Sequence, residues 1–190
     1  MSHLLNRAPA AGFDQPFEML SACHERVQRS LQLLMRLLEH LRTADDTPRS
    51  REMAADAARD VLRYFDIAAP AHHEDEERHV FPLLLASHDP RLTTAAAQLH
   101  ADHLAMEAAW AVLRPLLQQV ASAGASADLP ALQAAADRFG ALYAGHIELE
   151  NDVVFPAARS AMDAAAVRAM GAEMAARRQA ATGSTTPGNR

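Results

Sequence analysis

Four of the ten histidines in this 190-residue chain are spaced, relative to two glutamates, in a pattern that could bring their side chains together as ligands. Two segments carry His-x-x-x-Glu followed by Phe-Pro: HHEDEERHVFP, which starts at His72 and contains Glu76, and HIELENDVVFP, with His146 and Glu150. Two further regions each place one histidine in an apolar series with spacings of three and four. Imidazole and carboxylate together are ligands of iron, manganese or zinc, so the pattern indicates a metal site.

The elements that carry these residues are predicted to be helices of one repeated design. The apolar series from Leu20 to Leu41 contains His24, and it recurs 79 residues later, with His103 at the matching position. The two His-x-x-x-Glu segments are 74 residues apart and align without a gap. Spacings of three and four place these side chains on one face of each helix. The sequence therefore predicts two similar helical hairpins whose ionisable groups face the middle of an apolar bundle.

Burying such groups without partners would cost on the order of several kcal/mol for each charge, and a shared metal removes that cost. Histidine and glutamate at i and i+4 lie roughly 6 Å apart along a helix, so they can reach one metal or an adjacent pair. Because the six side chains offer four nitrogens and up to four oxygens, which one ion cannot all use in a normal geometry, we expect two ions. The repeat assigns the ligands: His24 and His72 to one metal, His103 and His146 to the other, with Glu76 and Glu150 bridging both.

The fold class expected from this pattern is all-α, an up-down-up-down antiparallel four-helix bundle with an additional C-terminal helix. The predicted helices cover 16–43, 49–87, 92–121 and 130–162, followed by a weaker one at 163–180. The predicted organisation is an N-terminal arm at 1–15, the bundle at 16–162, the extra helix at 163–180 and a disordered tail at 181–190. Prolines 70, 82, 115 and 156 are expected to bend or interrupt their helices.

Composition excludes several classes of protein. The net charge of -6 and the pI near 5.9 give no basic footprint for nucleic acid. The single cysteine, Cys23, excludes an internal disulfide and a cysteine-based zinc site. The sequence has no apolar run typical of a signal peptide or a transmembrane helix, so a soluble cytoplasmic protein is expected. Nothing in it predicts the oligomeric state.

With these motifs, the chain resembles the hemerythrin family, of the bacterial type with an HHE cation-binding domain. The resemblance rests on the six residues above and on the Phe-Pro that follows each motif, and it covers about residues 17–160. It implies a non-heme di-iron centre, with two iron ions and a small ligand such as oxygen, nitric oxide or peroxide. A protein that binds or senses this ligand is one possibility. A di-iron enzyme that reduces nitric oxide or peroxide, and an iron store or structural bundle, are the alternatives.

The chain departs from the oxygen carriers of that family at two points. The carriers have a fifth histidine four residues before the ligand of the third helix, where this chain has Leu99. His100 lies about 60° around the helix from His103 and remains a candidate fifth ligand. The carriers also end the last motif as His-x4-Asp rather than His-x3-Glu. Two further candidates are Tyr143, as a buried structural residue or a hydrogen-bond partner of a bound ligand, and His79, as a packing residue or a ligand.

A second pair with i, i+4 spacing, His73 and Glu77, lies one residue further along the same helix. The fourth helix has Ile147 and Asn151 at the equivalent positions, and neither can replace those ligands. We therefore interpret His73 and Glu77 as an outer-face pair. The remaining histidines, His3, His40 and His88, are expected to be solvent-exposed.

Overall fold

The computed structural model describes residues 12–126 and 128–183, with side chains to residue 180, and all regular structure within them is helical. The α-helices are α1 (Pro16–Thr43), α2 (Pro48–Arg63), α3 (Ala69–His79), α4 (Phe81–Leu85), α5 (Pro90–Ala123), α6 (Leu129–Ala141), α7 (Tyr143–Leu149), α8 (Phe155–Ala161) and α9 (Ala164–Gly183). His3, most of the predicted arm and residues 184–190 of the predicted tail lie outside the described residues. None of the described helices is long and apolar enough to cross a membrane.

The predicted second and fourth helices are both interrupted, and prolines mark most of the interruptions. A π-helical turn at Tyr64–Ala68 joins α2 to α3, which has Pro70 in its first turn, and a second at Glu150–Val154 joins α7 to α8. Proline lacks the backbone N–H that an α-helix needs, and each π-helical turn ends two residues before a proline, Pro70 or Pro156. Pro115 behaves differently, because α5 continues through it.

The helices begin and end at residues that satisfy their free backbone groups. The side chains of Thr47, Asp89 and Asp128 accept hydrogen bonds from backbone N–H groups in the first turns of α2, α5 and α6. Such caps stabilise a helix by about 1 kcal/mol each. Gly124 follows the end of α5 with a φ of 67°, a left-handed conformation that suits glycine.

Two apolar clusters form the core, and a polar layer separates them. Helix α1 contacts α2 and α6, and α5 contacts the same two helices. Along α1, Leu20 belongs to one apolar cluster and Val27 to the other, with His24 between them. Along α5, His103 likewise lies between residues of the two clusters. The same two helices therefore hold their histidines at one level inside the core.

Helix α9 packs across α1 and α3. Its Met170 and Met174 are buried in the apolar cluster that also contains Leu20. A Cβ added to Gly171 would lie 1.8 Å from the carbonyl oxygen of Phe13, so the close approach of the N-terminal segment requires glycine there. This contact and the buried methionines fix α9 next to the helix that carries the first His-x-x-x-Glu motif.

Candidate metal centre

The polar layer brings together the six residues that the repeat singles out. These residues are at most 3% exposed, and both glutamates are fully buried. They form two overlapping groups, in each of which one candidate ligand atom per residue lies within 4.8 Å of all the others. The groups are His24, His72, Glu76 and Glu150, and Glu76, His103, His146 and Glu150. The repeat predicts this same division, with the two glutamates common to both groups.

Each glutamate faces one histidine of each group. Glu76 Oε1 lies 3.2 Å from His72 Nε2, and its Oε2 lies 3.4 Å from His103 Nε2. Glu150 has the same arrangement: its Oε2 lies 3.0 Å from His24 Nε2, and its Oε1 lies 3.1 Å from His146 Nε2. Each carboxylate therefore has one oxygen beside each pair of histidines, as a bridging ligand would.

The inner atoms of this layer lack ordinary partners. Among the described residues, all four oxygens of Glu76 and Glu150 and the Nε2 atoms of His24, His103 and His146 make no hydrogen bond. Buried polar atoms in folded proteins are nearly always hydrogen-bonded, so a cluster of unpaired ones needs an explanation. Nitrogen and oxygen lone pairs that converge at one place fit a bound cation.

Two histidines are oriented from outside the cluster by acceptors on the other hairpin. His24 Nδ1 donates to Asn151 Oδ1 at 3.0 Å, and His103 Nδ1 donates to Glu77 Oε1 at 2.8 Å. A proton on Nδ1 leaves the inner Nε2 with a free lone pair, which is the tautomer that a metal ligand needs. Asn151 and Glu77 occupy equivalent positions of the repeat. The same hydrogen bond is therefore made in both hairpins, but to a neutral amide in one and to a carboxylate in the other.

The outer partners of the remaining two histidines, His72 and His146, also differ in charge. His146 Nδ1 lies 3.5 Å from Asp102 Oδ2, whereas His72 Nδ1 has no partner among the described residues. The repeat places Cys23, which is buried, at the position equivalent to Asp102. The pair His103 and His146 therefore has two outer carboxylates, and the other pair has none. Such carboxylates raise the basicity of a ligating imidazole.

The Phe-Pro that follows each motif contributes an aromatic wall. Phe155 stacks on His24, with ring centroids 5.3 Å apart and planes inclined by 14°. Phe81 stacks on His103, with centroids 5.4 Å apart and planes inclined by 28°. Each phenylalanine thus fixes the imidazole of the opposite hairpin and covers the cluster with apolar surface on that side.

In the metal-free protein, the pKa values of the clustered groups shift in different directions. Burial and the neighbouring Glu150 raise the pKa of Glu76 well above its usual range. Burial opposes the charge of Glu150, but the imidazoles of His146 and His24 hold the pKa of that carboxyl far below normal. Burial also disfavours a charged His146, yet Glu150 and Asp102 raise the pKa of that imidazole. In the metal-free protein, the raised pKa values of Glu76 and His146 therefore favour the protonated form of both groups.

Metal binding is expected to release protons, because a ligating carboxyl must be ionised and a ligating imidazole must be neutral. The raised pKa values of Glu76 and His146 favour their protonated forms, so affinity for the metal should increase as the pH rises through both. Calorimetric titration with Zn²⁺ in two buffers of different ionisation enthalpy measures the protons released. Equal heats in the two buffers would contradict this protonation state.

The three additional candidates lie outside the two groups. His100 is 57% exposed, with its Nδ1 3.7 Å from Glu77 Oε1. His79 Nε2 lies 2.6 Å from Glu173 Oε2 on α9. Tyr143 is buried among aromatic rings, against Phe65 and Phe139.

The two outer histidines with described side chains differ from each other. His88 is exposed, as expected. His40 is half-buried, contrary to the expectation, and its Nε2 lies 3.0 Å from Ser50 Oγ. Neither belongs to the groups that could hold a metal among the described residues.

The interpretation of His73 and Glu77 as an outer-face pair is wrong for His73, whereas Glu77 is exposed, with 40% of its side chain accessible. The His73 ring stacks on His103, with centroids 3.9 Å apart and planes inclined by 11°, and Glu77 accepts the hydrogen bond from His103 Nδ1. Both therefore point towards α5. The equivalent Ile147 is an apolar residue and is buried, so it was the signal that this helix face lies inside the protein.

A cavity of about 50 Å³ adjoins the cluster on the side of His73. Its lining is mostly apolar and aromatic, and consists of Phe65, Ala69, Pro70, His73, Met106, Glu107, Trp110, Phe139 and Tyr143. This volume exceeds the roughly 10–15 Å³ that a single water molecule requires, so the cavity has room for a small molecule.

Comparison with known proteins gives the same family as the motifs. The family model of the hemerythrin HHE cation binding domain matches residues 15–179. The chain is also 32% identical over 169 residues to an uncharacterized protein of Haemophilus influenzae, a match that covers 89% of this chain and 93% of that relative. The family match spans the whole polar layer and most of α9. The chain therefore belongs to the hemerythrin family, with an HHE cation-binding domain.

Proposed function

We propose that this protein holds two iron ions between its four inner histidines and two glutamates, and binds a small oxygen-derived or diatomic ligand there. The observation that carries the proposal is that each glutamate faces a histidine of both groups. The elements around the site would form an antiparallel up-down-up-down four-helix bundle, in which carboxylates from facing helices commonly bridge two metals.

The donor set supports iron over a structural zinc site. The two groups contain imidazoles and carboxylates without thiolate, and Cys23 lies outside them. Structural zinc sites in proteins usually include cysteine, whereas imidazole with carboxylate suits iron. Two iron ions, when bound, supply a redox-active centre at which oxygen, nitric oxide or peroxide is held. Manganese fits the same donors and is distinguished by metal analysis.

The surroundings of the cluster favour a small ligand. Phe81 and Phe155 cover two of the histidines and exclude water from those faces. The cavity beside His73 has about 50 Å³ and a mostly apolar lining, which suits a diatomic molecule. We therefore propose binding or sensing of such a molecule as the function.

Protein produced with adequate iron is expected to contain about two irons per chain, because four imidazole nitrogens and four carboxylate oxygens exceed what one ion can use. His146→Ala should lower the iron content, since it removes one imidazole from the second group. His88→Ala is the matched control, because His88 is exposed and belongs to none of the groups of described residues that could hold a metal. Elemental analysis of gel-filtered protein measures the content, and equal iron in the two variants would contradict the ligand set.

The spectrum then separates binding from turnover. Reversible binding predicts a visible or near-ultraviolet band that appears under oxygen and disappears on deoxygenation. Continued consumption of peroxide or nitric oxide by the iron-loaded protein would identify an enzyme instead. Iron without either response would leave storage as the function.

A further inference from the structure

The structure assigns His73 to the metal centre as a fifth imidazole ligand, at the position held by His103 and His146. This proposal rests on the proposed function, and it adds a ligand that the His-x-x-x-Glu motifs do not include. The second position would then hold three imidazoles, and the position of His24 and His72 would hold two.

The geometry around His73 supports this assignment. One nitrogen each of His73, His103 and His146 forms a group in which all three atoms lie within 4.8 Å of one another. The His73 ring is 3.9 Å from that of His103 and 6.1 Å from that of His146, between centroids. Helix α3 also carries Glu76, which forms a separate group with the same His103 and His146 and with Glu150, so one helix places both side chains beside these two imidazoles.

Nothing else in the described structure engages the His73 side chain through a polar contact. It is half-buried and has ring contacts with three other histidines, but it makes no hydrogen bond to any described residue. An imidazole confined beside two candidate ligands, with no other partner, is placed to donate a lone pair to a cation they share. The more exposed His100 faces Glu77 instead.

The repeat makes this ligand specific to one position. Residue 147, equivalent to His73, is a buried isoleucine, so the first position has no fifth imidazole. Glu77 and Asp102 also add outer carboxylates only on the side of His103 and His146. The two positions are therefore expected to differ in affinity, with the second occupied first and the first left with more open coordination positions for a small ligand.

Titration with Co²⁺, whose visible absorption depends on its coordination number, tests the assignment. The wild-type protein is expected to bind two ions in unequal steps. His73→Ile introduces the isoleucine that the other hairpin has at the equivalent position, Ile147. It should weaken the affinity of the tighter binding step by about tenfold or more, as loss of a residue around a metal site does. Free imidazole should restore the wild-type spectrum to His73→Ala, whose shortened side chain leaves space for it. His100→Ile is the control and should titrate as the wild type.

A count of the metal-bound imidazoles in the wild-type protein tests the assignment without any variant, so it does not depend on whether the variants fold. With Zn²⁺ bound, long-range ¹H–¹⁵N NMR should show five metal-bound imidazoles. Four, or a His73→Ile titration identical to that of His100→Ile, would overturn the role of His73 and leave the proposed function intact. Failure of the wild-type protein to bind any of the ions would overturn both.

Discussion

Glu76→Gln is expected to remove both cations rather than one, with a loss of affinity of more than about 100-fold at each position. Loss of a residue that only hydrogen-bonds to a ligand typically weakens metal binding by about 10- to 100-fold, and the loss of a ligand should exceed that. The reason is that Glu76 lies beside His72 with one oxygen and beside His103 with the other. His72→Ala is the comparison, and it should leave the second position occupied. Elemental analysis after gel filtration and competition with a chelator give the content and the affinity.

The same substitution should not destabilise the metal-free protein. Burial and Glu150 raise the pKa of Glu76, so the folded state favours the protonated carboxyl. That contribution to stability is complete below the ordinary pKa of a glutamate and is lost as the pH rises through the raised value. Glutamine cannot ionise, so Glu76→Gln should unfold at a urea concentration equal to or above that of the wild type, with the larger gain at higher pH. A variant that keeps one tightly bound ion would show that Glu76 serves only one position.

Asp75→Asn is expected to lower the free energy of unfolding by about 3 kcal/mol, because it removes the charge from a buried carboxylate with two arginine partners. Asp75 is fully buried and accepts hydrogen bonds from Arg177 and from Arg178, whose Nη2 lies 2.6 Å from Asp75 Oδ2. Both arginines belong to α9, so the substitution should weaken the docking of that helix. Urea unfolding monitored by circular dichroism measures the loss.

The neighbouring Glu74→Gln provides the matched control. Glu74 also forms ion pairs, with Arg78 at 2.6 Å and Arg177 at 3.0 Å, but its side chain is 44% exposed. Exposed pairs contribute about 0–1 kcal/mol, so this variant should stay close to the wild type. Limited proteolysis should cut within α9 sooner in Asp75→Asn than in Glu74→Gln. Similar cleavage in both would show that the buried apolar contacts of α9, including Met174, are sufficient for docking.

The inner side chains could be predicted from the sequence because two independent patterns agree on them. Spacings of three and four select one face of a helix, and the repeat requires that equivalent residues occupy equivalent heights. His24 and His103 satisfy both conditions, and the structure places both in the polar layer. The apolar residues that flank them fall into the two core clusters for the same reason.

The orientation of His73 could not be obtained in this way. His73 lies one residue, about 100° around the helix, from the face of His72 and Glu76. The spacing of three and four marks only the face of His72, so it gives no information on whether the neighbouring face is also covered. The comparison with the equivalent Ile147 was also misleading, because an isoleucine cannot act as a ligand and the two hairpins differ at that position.

The partners of Asp75 were beyond prediction for a different reason. Its contacts with Arg177 and Arg178 join residues more than a hundred positions apart, on a helix whose apolar pattern is weak. The sequence predicted α9 but gave no face by which it attaches.

The two hairpins complete each other crosswise. Glu76 and Phe81, from the first, lie against His103, while Glu150 and Phe155, from the second, lie against His24. Neither half contains a complete set of the candidate ligands, so a cation bound at the proposed centre would join the two halves. Its release would then weaken their attachment, and the stability of the whole protein would depend on the supply of metal.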